Sequence, residues 1–227
     1  MLLLLGGGVV ATAILTRSKG LGGGWLLINF GWGLAVFAGV SVSYASGAYL
    51  NPAVTLGFVV AGQFKGGFGL ALLYMLAQLI GAVIGAVLVW LAFKRHFDEE
   101  SDPGTILGVF STGPAIRAIA WNLVTEIIGT FVLVFVVLAF GKGQTPKELG
   151  ALPVALLVVA IGASLGGPTG YAINPARDLG PRIAHALLPI PGKGTSDWSY
   201  AWVPIVGPLI GGVLAGLLSY VLLPALS

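Results

Sequence analysis

Two segments of this chain, one in each half, share an unusual pattern around Asn-Pro-Ala. The first is SGAYLNPAVTLG at residues 46–57, and the second is TGYAINPARDLG at residues 169–180. Both segments are too short to cross a bilayer as a helix. Proline is tolerated in the first turn of a helix, and asparagine is a favoured N-cap residue. Each copy therefore predicts a short helix that begins at its proline, Pro52 or Pro175, after an extended stretch.

The rest of the chain is apolar enough to belong in a membrane. Of its 227 residues, 57% are hydrophobic and only 8% are charged, whereas soluble domains carry about 25% charged residues. A helix needs about 20 apolar residues to cross the ~30 Å hydrocarbon core. We predict six spans, at residues 1–16, 25–45, 69–93, 115–140, 149–168 and 200–224. Polar breaks separate them at residues 17–20, 94–114, 141–144 and 189–199.

The two Asn-Pro-Ala segments occupy corresponding places among these spans. One falls between the second and third spans, and the other falls between the fifth and sixth. The chain, a single membrane domain of residues 1–227, thus divides into two repeats, about 1–98 and about 115–227. An odd number of spans in each repeat inverts the second repeat relative to the first. Inverted repeats with short, Gly/Pro-interrupted segments in corresponding positions point to a permeation or binding site near the bilayer midplane.

Inversion would bring the two short helices in from opposite faces of the membrane, so that their N-termini meet. Their positive dipole ends would then form a barrier to cations and protons. Non-helical backbone at this depth is tolerated only where it is buried or lines a wet cavity. We expect the amides of Asn51 and Asn174 to donate to a passing oxygen, while the carbonyls of 47–50 and 170–173 accept along one wall. This arrangement predicts a pore for neutral solutes that carry hydroxyl groups.

The paired motifs, the six spans and the inverted repeat resemble the aquaporin, or major intrinsic protein, family over almost the whole chain. The resemblance implies an all-α membrane protein with six transmembrane helices, two re-entrant half-helices and a pore in each protomer of a homotetramer. It assigns the two pore motifs to Asn51, Pro52, Ala53, Asn174, Pro175 and Ala176.

The composition excludes several other classes of function. The chain has no cysteine and two histidines, which leaves no thiol nucleophile and no multi-histidine metal site. Its net charge of +3 is scattered, with no basic run that would hold nucleic acid. We therefore expect no metal, no cofactor, no nucleic-acid partner and no enzymatic activity.

In this family, four positions form the constriction that separates water channels from glycerol facilitators. Arg177 follows the second motif directly. Gly162 stands twelve residues before Asn174, where water channels carry histidine. Tyr171 stands three residues before Asn174, where glycerol facilitators typically place an aromatic residue. These residues favour the glycerol facilitator subtype.

The fourth position, in the second span, is assigned to Trp32, although the commoner spacing in the family would fall on Gly31. Trp32 and Tyr171 would form an aromatic corner against which CH₂ groups slide, while Arg177 donates to hydroxyls from the other side. Because water channels carry histidine at the position of Gly162, the glycine should make the pore wider and its wall less polar at this point. A polyol matches this arrangement, because it presents carbon atoms along one edge and hydroxyl groups along the other.

Two acids are expected to support this selectivity filter. Asp178 follows the filter arginine and Arg182 comes four residues later, as in glycerol facilitators; we expect Asp178 to accept backbone N–H groups and to help orient Arg177. Glu126, in the fourth span, resembles a buried glutamate that holds the re-entrant segment in the family. Its counterpart in the first span is absent, so we expect missing residues in that helix and weaker bracing of the first half-helix. Tyr49 stands where the family usually has histidine.

The sequence thus predicts a passive channel for glycerol and other small uncharged solutes, with some water, that excludes ions and protons. The nearest alternative is a water-selective aquaporin, against which Gly162 and Asp178 argue. An ion-coupled secondary transporter can also be built from inverted repeats, but it needs ionisable residues at depth. This chain offers only Glu126, Arg177 and Asp178 there. We expect a multi-pass protein of the lipid bilayer in a bacterial inner membrane.

Overall fold

The computed structural model of this chain describes residues 1–142 and 147–223. These residues form helices and connecting segments, with no strand among them. The helices are α1 (Leu2–Ile14), α2 (Gly24–Ser43), α3 (Pro52–Val60), α4 (Gly67–Ala92), α5 (Lys94–Glu99), α6 (Pro103–Phe110), α7 (Ile119–Lys142), α8 (Leu152–Leu165), α9 (Pro175–Leu187) and α10 (Val203–Leu222). Two 3₁₀ turns cover Tyr44–Ser46 and Lys147–Leu149. Residues 143 and 144 of the predicted break, and residue 224 of the last predicted span, lie outside the described residues.

Each predicted span contains a helix, but two of these helices are shorter than predicted. Four are long and apolar enough to cross a membrane, at Gly24–Ser46, Gly67–Ala92, Ile119–Gly141 and Val203–Leu222. The helices within 1–16 and 149–168 have 13 and 14 residues, which corresponds to about 20 Å of helix. The second of these is short because the chain leaves the helix at Gly166 to start the re-entrant segment.

The predicted polar break at 94–114 is not a continuous loop, because it contains α5 and α6. Asp102 begins α6 as its N-cap, accepting hydrogen bonds from the backbone N–H groups of Gly104 and Thr105 at 3.3 and 2.8 Å. Pro103 occupies the first helical position. An N-cap aspartate before a proline is a recognised signal for a helix start. The sequence therefore did indicate this helix, although only a polar break was predicted there. The hydroxyl and backbone N–H groups that donate to Asp102 also lower the pKa of its carboxyl.

The half-helices α3 and α9 begin at Pro52 and Pro175, as the sequence predicts. Asn51 caps the first, because its Oδ1 accepts from the backbone N–H of Ala53 at 2.8 Å. Asn174 caps the second, and its Oδ1 accepts from the backbone N–H groups of Ala176 and Arg177 at 3.1 and 3.2 Å. The local chemistry of Asn-Pro therefore fixes both starting points.

Each half-helix packs on the last long helix of the other repeat. The first half-helix, α3, lies against α10, and the second, α9, lies against α4. Glycine permits this close approach: a methyl group at Gly212 of α10 would lie 2.5 Å from the carbonyl oxygen of Ala53. The exchange of half-helices between the repeats brings the two asparagine caps to the same place.

Candidate solute pathway at the meeting of the half-helices

The two segments that precede the half-helices share the same unusual backbone. Three corresponding positions in each copy, the first, second and fourth after the small hydroxyl residue, have positive φ. These residues and their φ values are Gly47 (82°), Ala48 (52°), Leu50 (56°), Gly170 (79°), Tyr171 (38°) and Ile173 (43°). Non-glycine residues rarely adopt this conformation, which costs about 1–3 kcal/mol each and persists where the surroundings impose it. The repeat is therefore visible in the backbone as well as in the sequence.

The two asparagines also join the repeats to each other. Asn51 Nδ2 donates to the carbonyl of Ile173 at 2.7 Å, and Asn174 Nδ2 donates to the carbonyl of Leu50 at 3.0 Å. Since each Oδ1 is committed to the helix cap, the orientation of both amides is fixed by the hydrogen bonds. An amide nitrogen carries two N–H groups, which leaves one donor per asparagine. The carbonyls of Leu50 and Ile173, expected to accept from a solute, already accept from an asparagine.

A cavity of about 70 Å³ lies where the two segments meet. It is bordered by both asparagines, by Arg177 and Tyr171, and by a largely apolar wall that includes Trp32 of α2. About 10–15 Å³ of such space holds one water. The cavity can therefore hold several water-sized groups next to a small number of polar side chains.

The guanidinium of Arg177 borders this cavity and stacks on Trp32. Its Cζ lies 4.2 Å from the centroid of the Trp32 ring, and the residue is 8% exposed. Within residues 1–142 and 147–223 the guanidinium makes no hydrogen bond and no ion pair. A guanidinium carries five N–H donors, and its face-on contact with the indole stabilises the charge. The donors of Arg177 are available to an oxygen in the cavity.

The expected aromatic corner has a different geometry. Arg177 covers a face of Trp32, so the two residues lie on the same side of the cavity rather than across from each other. The ring of Tyr171 packs edge-on against Trp25, with 5.7 Å between ring centroids. In the described part of the chain, Trp32 and Tyr171 make no ring contact.

Of the two filter candidates in α2, Trp32 lines the cavity and Gly31 does not. Gly31 faces α1, because a methyl group there would overlap the side chain of Val9. The function of Trp32 as a filter residue stays a prediction.

Gly162 lies behind Tyr171 rather than on the cavity wall. A methyl group at Gly162 would lie 2.5 Å from Asn29 Oδ1 and 2.7 Å from Tyr171 Cζ. At Gly166, four residues later, a methyl group would lie 2.5 Å from Tyr171 Cδ1. The two glycines form a flat seat for the Tyr171 ring, so the space expected to widen the pore is filled by that ring. Their i, i+4 spacing, which places them on one helix face, was the sequence signal for this contact.

Glu126 of α7 holds the second segment through three hydrogen bonds. Its carboxylate accepts from the Thr169 hydroxyl at 2.7 Å and from the backbone N–H groups of Ala172 and Ile173 at 3.0 and 2.9 Å. The residue is 1% exposed, and a buried carboxylate is tolerated when donors surround it. These bonds fix the backbone immediately before Asn174.

The first segment has no such support. The backbone N–H groups of Tyr49 and Leu50, which correspond to those of Ala172 and Ile173, have no hydrogen-bond partner among the described residues. Both residues border a second cavity of about 330 Å³. The Tyr49 side chain, at the position where the family usually has histidine, packs into an aromatic cluster with Phe58, Phe64 and Tyr74.

Asp178 accepts a backbone N–H group, as expected, and is also part of a buried ion pair. Its carboxylate accepts from the backbone N–H and the hydroxyl of Thr112, both at 2.8 Å, and pairs with Arg182 Nε at 2.8 Å. Among the residues that the structure describes, it forms no hydrogen bond or ion pair with Arg177. Asp178 therefore holds the neighbouring loop, and its help in orienting Arg177 stays a prediction.

Arg182 connects several segments of the structure, whereas from the sequence it was only a marker of the glycerol facilitator subtype. Both members of the Asp178–Arg182 pair are fully buried. The guanidinium also donates to three backbone carbonyls in two loops, those of Thr112, Ser196 and Asp197. The pair thus fastens two loops to α9 close to Arg177.

These features define the class of protein. Membrane-length helices enclose two half-helices whose capped N-termini meet at a cavity, and this is the architecture of an aquaporin-type membrane channel. The family model described as "Major intrinsic protein" matches residues 1–219. The chain belongs to the major intrinsic protein family, whose members are channels and not enzymes.

Individual relatives show how close this similarity is. The chain is 56% identical over 223 residues to "Glycerol uptake facilitator protein 3" of Lactiplantibacillus plantarum, covering 98% of this chain and 92% of the relative. It is 54% identical over 215 residues to "Probable glycerol uptake facilitator protein" of Thermotoga maritima, covering 94% of this chain and 91% of the relative. Among solved structures, the aquaglyceroporin from Plasmodium falciparum matches with a TM-score of 0.84 and 30% identity, covering 98% of this chain and 91% of that chain.

Proposed function

We propose that this chain is a passive channel for glycerol and other small uncharged solutes, with some water, that excludes ions and protons. The observation that carries the proposal is the guanidinium of Arg177, which has no hydrogen-bond or ion-pair partner among the described residues, at the edge of an otherwise largely apolar cavity. A polyol offers hydroxyls to these donors along one edge and carbons to the apolar wall along the other. The similarity to proteins named glycerol uptake facilitators and to an aquaglyceroporin supports the same solute class.

The electrostatics of the pathway argue against ion passage. Two capped helix N-termini carry partial positive charge, and Arg177 adds a full charge beside them. Neither buried acid borders the cavity: Asp178 is paired with Arg182, and Glu126 accepts three hydrogen bonds from the second segment. Because neither acid is free to bind an ion, these contacts also argue against an ion-coupled transporter.

The proposal gives each candidate residue a role. Asn51, Pro52, Ala53, Asn174, Pro175 and Ala176 form the two pore motifs. Trp32, Tyr171 and Arg177 form the filter, and Gly162 sets the place of Tyr171. Glu126 and Asp178 support the filter through the segments and loops that they hold.

The proposed membrane location is based on the relatives of this chain. The similar proteins from Lactiplantibacillus plantarum and Thermotoga maritima are bacterial, which supports a multi-pass protein of the bacterial plasma membrane. We propose one domain with repeats at about 1–98 and 115–227, one pore per protomer and a homotetramer in the lipid bilayer.

Reconstitution tests the solute directly. Liposomes that contain the protein should swell faster than protein-free liposomes in an inward glycerol gradient, followed by stopped-flow light scattering. Water permeability is measured on the same liposomes in a sucrose gradient. A rise in water permeability without a rise in glycerol permeability would contradict the proposal and favour the water-selective alternative.

A further inference from the structure

Behind the proposed filter lie two buried polar atoms that lack partners. Within the described residues, neither Asn29 Oδ1 nor the Tyr171 hydroxyl has a hydrogen-bond partner. The two residues are 1% and 6% exposed. A buried polar atom without a partner costs about 1–3 kcal/mol, and such atoms are rare enough in folded proteins that each one requires an explanation.

The two oxygens lie close to the same point in space. A methyl group at Gly162 would lie 2.5 Å from Asn29 Oδ1 and 2.9 Å from the Tyr171 hydroxyl oxygen. An amide oxygen accepts hydrogen bonds and a phenol donates one, so the chemistry of the two groups is complementary. A small rotation of the tyrosine, or one bridging water, would connect them.

The rest of the Tyr171 ring packs against glycine and tryptophan residues. The ring rests on Gly162 of α8 and on Gly166, the C-cap of that helix, and packs edge-on against Trp25. Trp25 is itself held in place, because its Nε1 donates to the carbonyl of Gly162 at 3.0 Å. The hydrogen bond of the hydroxyl is therefore the one interaction of this side chain that the packing of its ring does not supply.

We infer that Asn29 is a positioning residue for the filter. Its Oδ1 accepts from the Tyr171 hydroxyl, directly or through one water, and holds the ring against α8. Asn29 lies on α2 one turn before Trp32, so one helix both supplies Trp32 and fixes Tyr171. This inference rests on the proposed function, because it assigns Asn29 a role in selecting the solute.

The consequence for transport is a change in selectivity. Without the tether, the ring can tilt from its seat into the cavity that it borders. This movement obstructs glycerol more than water, because glycerol is the larger solute. The loss of one hydrogen bond of ordinary strength corresponds to about a fivefold fall in the ratio of glycerol to water permeability.

A double-mutant cycle in liposomes tests this coupling. Asn29→Leu and Tyr171→Phe should each lower the permeability ratio by about fivefold, and the double variant should lower it no further than either single change. The ratio is the informative readout, because a loss of folded protein lowers both permeabilities together and leaves their ratio unchanged. Tyr200→Phe is the matched control. Among the described residues the Tyr200 hydroxyl is also buried without a partner, and Tyr200 is not one of the residues that line the cavity. The ratio of glycerol to water permeability of this variant should equal that of the wild type.

Two results would overturn the inference. The first is a ratio of glycerol to water permeability that Asn29→Leu leaves unchanged. The second is a fall in this ratio on Asn29→Leu that is just as large in the Tyr171→Phe variant as in the wild type. If Asn29→Leu does not fold, Tyr171→Phe alone decides, because it removes a single oxygen atom and an unchanged ratio would refute the tether. Absence of glycerol permeation through the wild-type protein would instead contradict the proposed function.

Discussion

Arg177 combines a fixed positive charge with a flat face, and mutation can separate these two properties. Arg177→Lys keeps the charge but loses the planar stacking over Trp32, so cations should still be excluded while the ratio of glycerol to water permeability falls about threefold or more. Arg177→Met removes the charge, and proton leakage should appear. Both are measured in liposomes, with a trapped pH-sensitive dye for the leak.

The control for this prediction is Arg95→Met, because the Arg95 side chain is 84% exposed at the molecular surface. It should leave the ratio and the proton barrier as they are in the wild type. Proton exclusion by Arg177→Met as strict as that of the wild type would show that the half-helix dipoles suffice and that Arg177 is not the barrier.

A single methyl group at Gly162 should change selectivity. Gly162→Ala places that methyl against Asn29 and Tyr171, so the tyrosine ring must move towards the cavity. Glycerol permeability should therefore fall more than water permeability, and Gly162→His should produce a larger effect in the same direction. Gly81→Ala in α4 is the control, since no atom lies within 4 Å of a methyl group at that position. Equal loss of both permeabilities would refute the proposed seat for Tyr171.

The buried pair of Asp178 and Arg182 should contribute strongly to stability. Arg182→Met leaves the carboxylate of Asp178 buried without its cation, so the free energy of unfolding in detergent micelles should fall by about 3–5 kcal/mol. Adding Asp178→Asn to this variant should recover part of the loss, because the unpaired charge is removed. Arg95→Met, at the surface, should cost no more than about 0.5 kcal/mol. Similar costs for the buried and exposed arginines would contradict the role assigned to the pair.

At the scale of elements, the two half-helices are equivalent in their caps but not in their support. The segment before α9 donates three hydrogen bonds to Glu126, whereas the N–H groups of Tyr49 and Leu50 before α3 have no partner in the described residues. The inverted repeat is therefore asymmetric where the backbone carries its positive φ values.

Hydrogen exchange should reveal this asymmetry. The amides of Tyr49 and Leu50 should exchange faster than those of Ala172 and Ile173, by about tenfold or more for the loss of a charge-assisted hydrogen bond. Glu126→Gln should accelerate exchange at Ala172 and Ile173 and leave the first segment unchanged. Equal protection of the two segments in the wild type would show that the first has a support of equal strength.

The starts of α3 and α9 could be predicted because they depend on local chemistry, namely an asparagine cap followed by proline. The aquaporin-like architecture could be predicted because the two segments occupy matching places among apolar spans. The end of α8 is also encoded locally, because Gly166, Gly167 and Pro168 form a helix-stop signal, but a count of apolar residues alone extends the span to residue 168. The role of Asn29 could not be predicted in this way, because the contact that we infer with Tyr171 joins α2 to the second segment and no local pattern encodes it.

At the scale of the whole molecule, the exchange of half-helices joins the two repeats into one pathway. Each asparagine caps its own half-helix and donates to the segment of the other repeat. A large opening of one repeat against the other would break both of these bonds at once. This architecture suits a fixed pore more than a transporter that alternates between two states.

The most direct test of a fixed, passive pore is the concentration dependence of glycerol uptake into liposomes with all ion gradients collapsed. We expect the initial rate of radiolabelled glycerol uptake to rise in proportion to the glycerol gradient, without saturation, with a low activation energy and with no change when a proton or sodium gradient is imposed. Saturable uptake that requires such a gradient would contradict the account and indicate a coupled transporter.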